Sequence, residues 1–97
     1  MSHVTLGIIG SGQLGSLLCQ SAKKLGIKTI VISDDIEGPA QKYADNFIYS
    51  KYDDEVKIKK FVNLVDIVTF EFENIPVEIL IRINKEKKVF PKPEINK

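Results

Sequence analysis

One cysteine and one histidine are all that this chain of 97 residues carries. Cys19 has no second thiol to pair with, which excludes an internal disulfide. With His3 alone there is no set of soft metal ligands and no Ser-His-Asp or Cys-His centre, so no catalytic residue and no metal ligand is expected. Cys19 sits in a helical pattern, where a thiol is more often a small buried hydrophobe than a nucleophile. Charge of one sign is lacking too. Fourteen Lys and Arg stand against thirteen Asp and Glu, a net +1 that gives nucleic acid or a membrane surface nothing to respond to. No apolar run approaches the roughly 18 residues of a membrane span, and Met1-Ser2-His3-Val4 lacks the charged start of a secretory signal. The expected location is the cytoplasm. The basic run Lys85-Glu86-Lys87-Lys88 has no interleaved aromatics and reads as a solvated helix end.

What is present suits a packed, water-soluble domain: 43% hydrophobic and 28% charged residues. A chain of this length buries roughly 60 to 65 per cent of its unfolded surface, enough for one core and not for two. Val4 to Ile9 is a β-branched apolar run that reads as a strand buried on both faces. From Gln13 the residues Leu14, Leu18, Ala22 and Leu25 recur at helical spacing, with Lys23 and Lys24 in the last turn and Gly26 as the stop. Lys28 to Ser33 is a second strand, and strand-helix-strand makes a parallel βαβ unit. Pro39 to Ala44 is expected as a short helix and Asn46 to Ser50 as a third strand, with Tyr43, Phe47, Tyr49 and Tyr52 as packing around it. Asp53 and Asp54 precede a helix over Glu55 to Asn63 that presents Val56, Ile58, Phe61 and Val62. Val65 to Phe70 reads as strand four, Val77 to Asn84 as a helix, and Val89-Phe90 as a fifth strand cut short by Pro91 and Pro93. The alternation predicts an α/β fold, a doubly wound and mainly parallel five-stranded sheet with helices on both faces.

Between the first strand and the first helix lies Gly10-Ser11-Gly12-Gln13-Leu14-Gly15, a G-x-G-x-x-G turn in its proper context. Gly10 permits the tight turn, Gly12 lets a ligand approach the backbone, and Gly15 lets helix and strand close together. The helix directs its free N–H groups at that spot. One reading is a small NAD(P)-binding Rossmann domain, with Asp34 about 20 residues on as the ribose clamp. The length counts against it, since a full dinucleotide domain needs two mononucleotide halves. Glu71-Phe72-Glu73-Asn74 follows strand four at the same edge of the sheet. Its carboxylates and amide could take hydrogen bonds from an amine or hydroxyls of a small molecule; alternatively Glu73 or Asn74 merely caps the helix after Pro76. A third reading is a non-catalytic interaction module whose sheet edge or helix face docks a partner.

The phrases Gly7-Ile8-Ile9-Gly10-Ser11-Gly12-Gln13-Leu14-Gly15, Ala22-Lys23-Lys24-Leu25-Gly26, Gly38-Pro39-Ala40, Lys51-Tyr52-Asp53-Asp54 and Asp66-Ile67-Val68-Thr69-Phe70-Glu71-Phe72-Glu73-Asn74-Ile75 run through nearly the whole chain. In order and spacing they resemble the N-terminal, Rossmann-like pre-ATP-grasp domain of the 5-(carboxyamino)imidazole ribonucleotide synthases. The resemblance implies an ATP-dependent ligase of purine biosynthesis that carboxylates aminoimidazole ribonucleotide with bicarbonate, through carboxyphosphate and with Mg²⁺. It implies substrate-binding roles for Gln13, Leu14 and Glu71, with Glu73 and Asn74 adjacent, and makes Asp34 a loop residue near the site. Ser11 stands where the family has a glycine, and Ser16 where a basic residue is common. The resemblance further implies that ATP and Mg²⁺ belong to an ATP-grasp domain this chain does not contain. Residues 1–97 are then expected as a single N-terminal domain, inactive alone, binding no cofactor itself, from a family of homodimers.

Overall fold

The computed structural model describes residues 4–71 and 75–90. Five strands, β1 (Thr5–Ile9), β2 (Lys28–Ser33), β3 (Asn46–Tyr49), β4 (Ile67–Phe70) and β5 (Val89–Phe90), alternate with helices α1 (Gln13–Lys24), α2 (Glu55–Leu64) and α3 (Val77–Asn84). Every strand pair is parallel, and the order across the sheet is β3-β2-β1-β4-β5. The chain therefore builds outward from β1 in one direction, then returns to the other side of β1 for β4. That reversal leaves the carboxyl ends of β1 and β4 side by side, the place where a doubly wound sheet opens a crevice.

Strand alternation sorts the core into two unequal layers. Ile8 and Val31 point to the face of α1 and meet Cys19 and Ala40. Their neighbours Ile9, Ile30 and Ile32, with Val68 and Phe70, point to the opposite face and meet Ile58, Phe61 and Val62 of α2 and Ile79, Leu80 and Ile83 of α3. The second layer holds most of the large side chains, and Phe61 at its centre is wholly buried. At the amino ends of the strands acidic residues bind free N–H groups: Asp66 accepts from Thr5 N and Asp45 from Thr29 N, both at 2.8 Å.

Several expectations from the sequence are corrected. The buried stripe of α1 is Gly15, Ser16, Cys19 and Ala22; of the apolar residues expected there Ala22 is buried and Leu18 packs against the smaller cluster, whereas Leu14 and Leu25 are exposed, Leu25 at 75%. Small residues let α1 lie close to the strand ends: a Cβ on Gly15 would stand 2.9 Å from the Gly10 carbonyl oxygen. The short helix after Pro39 is a 3-10 turn of four residues, Pro39–Lys42, packed on α1. On α2, Val56 is 80% exposed, because its position turns away from the layer formed by Ile58, Phe61 and Val62. Phe47 and Tyr52 pack as expected, whereas Tyr43 and Tyr49 face solvent. β4 begins at Ile67, and Asp66 just before it donates its N–H to the Thr5 carbonyl while its carboxylate accepts from Thr5 N, each at 2.8 Å. Lys87 is no free surface charge; its Nζ donates to the Val65 carbonyl at 2.6 Å. α2 is capped by Asp54, whose carboxylate accepts from Lys57 N at 3.1 Å.

Truncating Phe61→Ala empties the centre of the larger layer. The free energy of unfolding in urea is expected to fall by about 3 to 5 kcal/mol, whereas Val56→Ala on the same helix should change it by less than about 0.5 kcal/mol.

Candidate functional site

The turn after β1 is fixed from both sides before any side chain enters. Gly10 N donates to the Ile32 carbonyl at 2.9 Å and Glu71 N donates to the Ile9 carbonyl at 3.0 Å, so the β2–β1–β4 ladder continues past the strand ends. Gly10 then takes φ +109°, a conformation open to glycine and strained for other residues. Beyond it the chain enters α1 with Gly12 as N-cap, a residue with no side chain of its own to cap the helix.

The cap comes instead from the far side of the crevice. The Glu71 carboxylate accepts from Gly12 N through Oε2 at 2.8 Å and from Gly15 N through Oε1 at 3.1 Å. It lies at the positive end of α1, on the N–H groups that a phosphate would use in a dinucleotide-binding turn. The glycines fit this carboxylate closely. A Cβ on Gly10 would stand 2.5 Å from Glu71 Oε2, and one on Gly12 would stand 2.9 Å from Oε1. An ionised carboxylate offers about four lone-pair directions. Two are taken by the turn, leaving acceptor capacity for donors that approach from solvent.

A second set of hydrogen bonds holds the other wall. Ser11 is buried, and its hydroxyl is placed to donate to Ser33 Oγ at 2.9 Å or to the Asp35 carbonyl at 3.1 Å, while Asp35 N donates to Ser33 Oγ at 3.0 Å. Ala40 N donates to the Ser11 carbonyl at 2.9 Å. The loop after β2 thus lies directly on the turn, and at Gly38 any side chain would collide with Ser11. Tyr52 lies beside this group, near Ser33 and Asp34. Burial pushes its phenol above the ordinary value, opposed by its polar neighbour Ser33 and helped by the Asp34 and Glu71 charges. Burial likewise raises the Cys19 thiol, as a packed, unreactive thiol requires.

Of the residues singled out in the sequence, Gln13 and Leu14 open α1 with exposed side chains, between the two glycines whose N–H groups Glu71 binds. Asp34 is exposed and lines a cavity of about 710 Å³ with Tyr52 and Lys51, bounded on the helix side by Glu55, Glu78 and Arg82. Arg82 and Glu55 pair at 3.0 Å on its rim. Glu73 and Asn74 lie outside the described residues. The residues that sequence reading missed are Ser33 and Tyr52. The signal available for Ser33 was its place at the carboxyl end of β2, level with the glycine turn. Among the described residues no three His, Cys, Asp or Glu side chains are grouped to hold a metal, and no helix is long and apolar enough to cross a membrane.

Comparison with known proteins agrees with this arrangement of strands and turn. A family model described as the ribonucleotide synthetase preATP-grasp domain matches residues 3–96. The N5-carboxyaminoimidazole ribonucleotide synthase of Staphylococcus haemolyticus is 43% identical over 82 residues, which make up 84% of this chain and 22% of that protein. The crystal structure of N5-carboxyaminoimidazole synthetase from Staphylococcus aureus complexed with ADP matches with TM-score 0.83 and 37% identity, covering 92% of this chain and 24% of that one. The Thermotoga maritima synthetase gives TM-score 0.81 and 35% identity over 93% of this chain and 25% of its own. The chain thus spans about a quarter or less of the length of these relatives.

Two outcomes test the geometry. Gly10→Ala should lower unfolding stability by about 2 kcal/mol or more, from the positive φ and the collision with Glu71. In a Glu71→Ala background the same change should cost about 1 kcal/mol less, which a double-mutant cycle in urea reads directly. For Tyr52, the folded chain keeps the phenolic proton at a pH where the unfolded chain has lost it. Its contribution is complete below about pH 10 and declines as pH rises above that value. Tyr52→Phe should therefore make the alkaline loss of stability shallower, measured by urea midpoints between about pH 9 and 11.

Proposed function

Because this chain belongs to the family of ribonucleotide synthetase preATP-grasp domains, we propose that it is the ribonucleotide-holding N-terminal domain of an ATP-dependent ligase. Its substrate is 5-aminoimidazole ribonucleotide, which the complete enzyme carboxylates with bicarbonate in purine biosynthesis. The observation that carries the reading is the Glu71 carboxylate, pinned by Gly12 N and Gly15 N at the carboxyl ends of β1 and β4. A fixed carboxylate with spare lone pairs suits the hydroxyl and amine donors of a ribonucleotide. Gln13 and Leu14, beside it on the first turn of α1, supply an amide and an apolar contact. Glu73 and Asn74, next along the chain, belong to the same proposed pocket.

The chemistry divides between this chain and the rest of the enzyme. In the complete enzyme ATP would phosphorylate bicarbonate to carboxyphosphate and leave as ADP; the substrate amine would then form the new N–C bond as the bond from carbon to the phosphate oxygen breaks, the amine losing one proton and phosphate departing. Relatives have been crystallised with ADP and with ATP; here ATP and Mg²⁺ are assigned to the portion of those longer proteins that this chain does not span. Its own residues bind and orient the ribonucleotide so that the amine meets the activated carboxyl group. Alone it holds substrate and does not complete the transfer. We place the enzyme in the cytoplasm, as a homodimer in its complete form.

Titrating ¹⁵N-labelled chain with aminoimidazole ribonucleotide should give saturable shifts at the amides of Gln13, Leu14 and Glu71. Glu71→Ala should weaken the affinity by about tenfold or more, the loss of one hydrogen bond to a charged acceptor. Shifts confined to other parts of the sheet would argue against the reading, and saturable NADH binding that is lost in Asp34→Ala would favour a dinucleotide domain.

A further inference from the structure

We infer that the glycine turn of this protein is an anion site the chain fills with its own carboxylate, so that Glu71 acts as a specificity element excluding phosphate groups from the turn. Turns of this sequence ordinarily offer their N–H groups and the positive end of the following helix to a phosphate. Here two N–H groups at the start of α1 are engaged, Gly12 N at 2.8 Å and Gly15 N at 3.1 Å from the two oxygens of one carboxylate. The turn is shaped around that occupant: positions 10 and 12 have no room for a Cβ because Glu71 fills the space. A phosphate would have to displace a covalently tethered carboxylate or approach it against like charge.

Displacement is opposed by the way Glu71 is held. Its own N–H is bonded to the Ile9 carbonyl, so the backbone from which the side chain reaches is a continuation of the β1–β4 ladder. The neighbouring route is closed as well. A dinucleotide passes from the turn toward the end of β2, and in this chain the Gly38 backbone and the Ser11–Ser33–Asp35 hydrogen bonds occupy the space beside the turn. The glycines at positions 10 and 12 thus make room for an internal ligand, the Glu71 carboxylate. This inference stands apart from the identity of the substrate, because it concerns phosphate at two backbone amides.

Inorganic phosphate titrated into the ¹⁵N-labelled chain is the test. In the wild type the Gly12 and Gly15 amides should show no saturable shift over the range in which Glu71→Ala does, a gain in phosphate affinity of about tenfold or more for the variant. Glu71→Gln keeps the shape and one acceptor but loses the charge, and should fall between the two; it serves as the folded comparison where the alanine chain does not fold. Saturable binding by the wild type at those two amides, within about threefold of the variants, would overturn the inference. So would folded variants whose Gly12 and Gly15 amides ignore phosphate, since Glu71 would then not be what keeps it out. Either result leaves the ribonucleotide titration free to succeed or fail independently.

Discussion

A single carboxylate joins the two halves of this fold. Glu71 stands 59 residues from Gly12 and 56 from Gly15 along the chain, yet its oxygens bind an N–H group of each at the start of α1. Hydrogen bonds to a charged group contribute about 1.5 to 3 kcal/mol each, a large share of the 5 to 15 kcal/mol that holds a domain of this size folded. The geometry of the turn depends on it: a Cβ at Gly10 or Gly12 would meet this carboxylate, so both positions must lack one. Without an acceptor at that point, the free N–H groups of α1 would rely on solvent, because Gly12 has no side chain to cap them.

The interaction also explains why the layer under α1 can be thin. Ile8, Val31, Cys19 and Ala40 form a small cluster beside the thirteen-residue core of the other face. A helix of small buried residues gains little from burial alone. α1 is held instead at its first turn by Glu71 and along its side by the Pro39–Lys42 turn, itself tied to the Ser11 carbonyl through Ala40 N. Polar contacts of fixed direction do here what volume does on the α2 and α3 face. That division suits a binding edge, because directional bonds hold atoms at stated distances whereas aliphatic packing tolerates sliding.

How far the sequence disclosed this follows from the range of each interaction. The strands were legible because Ile8, Ile9, Ile30 to Ile32 and Val68 are apolar runs bounded by turn residues, and the alternation with helices dictates a parallel sheet. The glycine turn and its place between β1 and α1 were legible for the same reason. Errors arose where a residue's fate depends on a distant surface. Leu25 fits the helical period of α1 but lies past the element it would pack on, and Gly15 and Cys19 are buried because α1 sits close to the 3-10 turn. Tyr49 ends an edge strand with nothing beyond it in the sheet, so an aromatic in a strand pattern remained exposed. Proximity of Glu71 to the glycines followed from both being at strand ends; that its carboxylate would take the N–H groups did not, because no local pattern says which oxygen reaches which donor.

The same point bears on what a G-x-G-x-x-G motif can say by itself. Its glycines report that something must come close to the backbone at that turn, and they are silent on whether it is a ligand or another part of the chain. Two features of this sequence tip the balance toward the chain itself. An acidic residue stands at the end of the strand that the doubly wound order places next to β1, where its reach of three bonds brings a carboxylate to the helix N-terminus. Ser11 inside the motif and Ser33 at the end of β2 are buried hydroxyls that satisfy each other, so the loop that would open for a second nucleotide half is fastened down. In a dinucleotide domain the acidic residue that matters follows β2; here the one on the turn follows β4, while Asp34 looks into a different cavity. The strand that carries the acid, more than the glycines, determines what chemistry such a turn can perform.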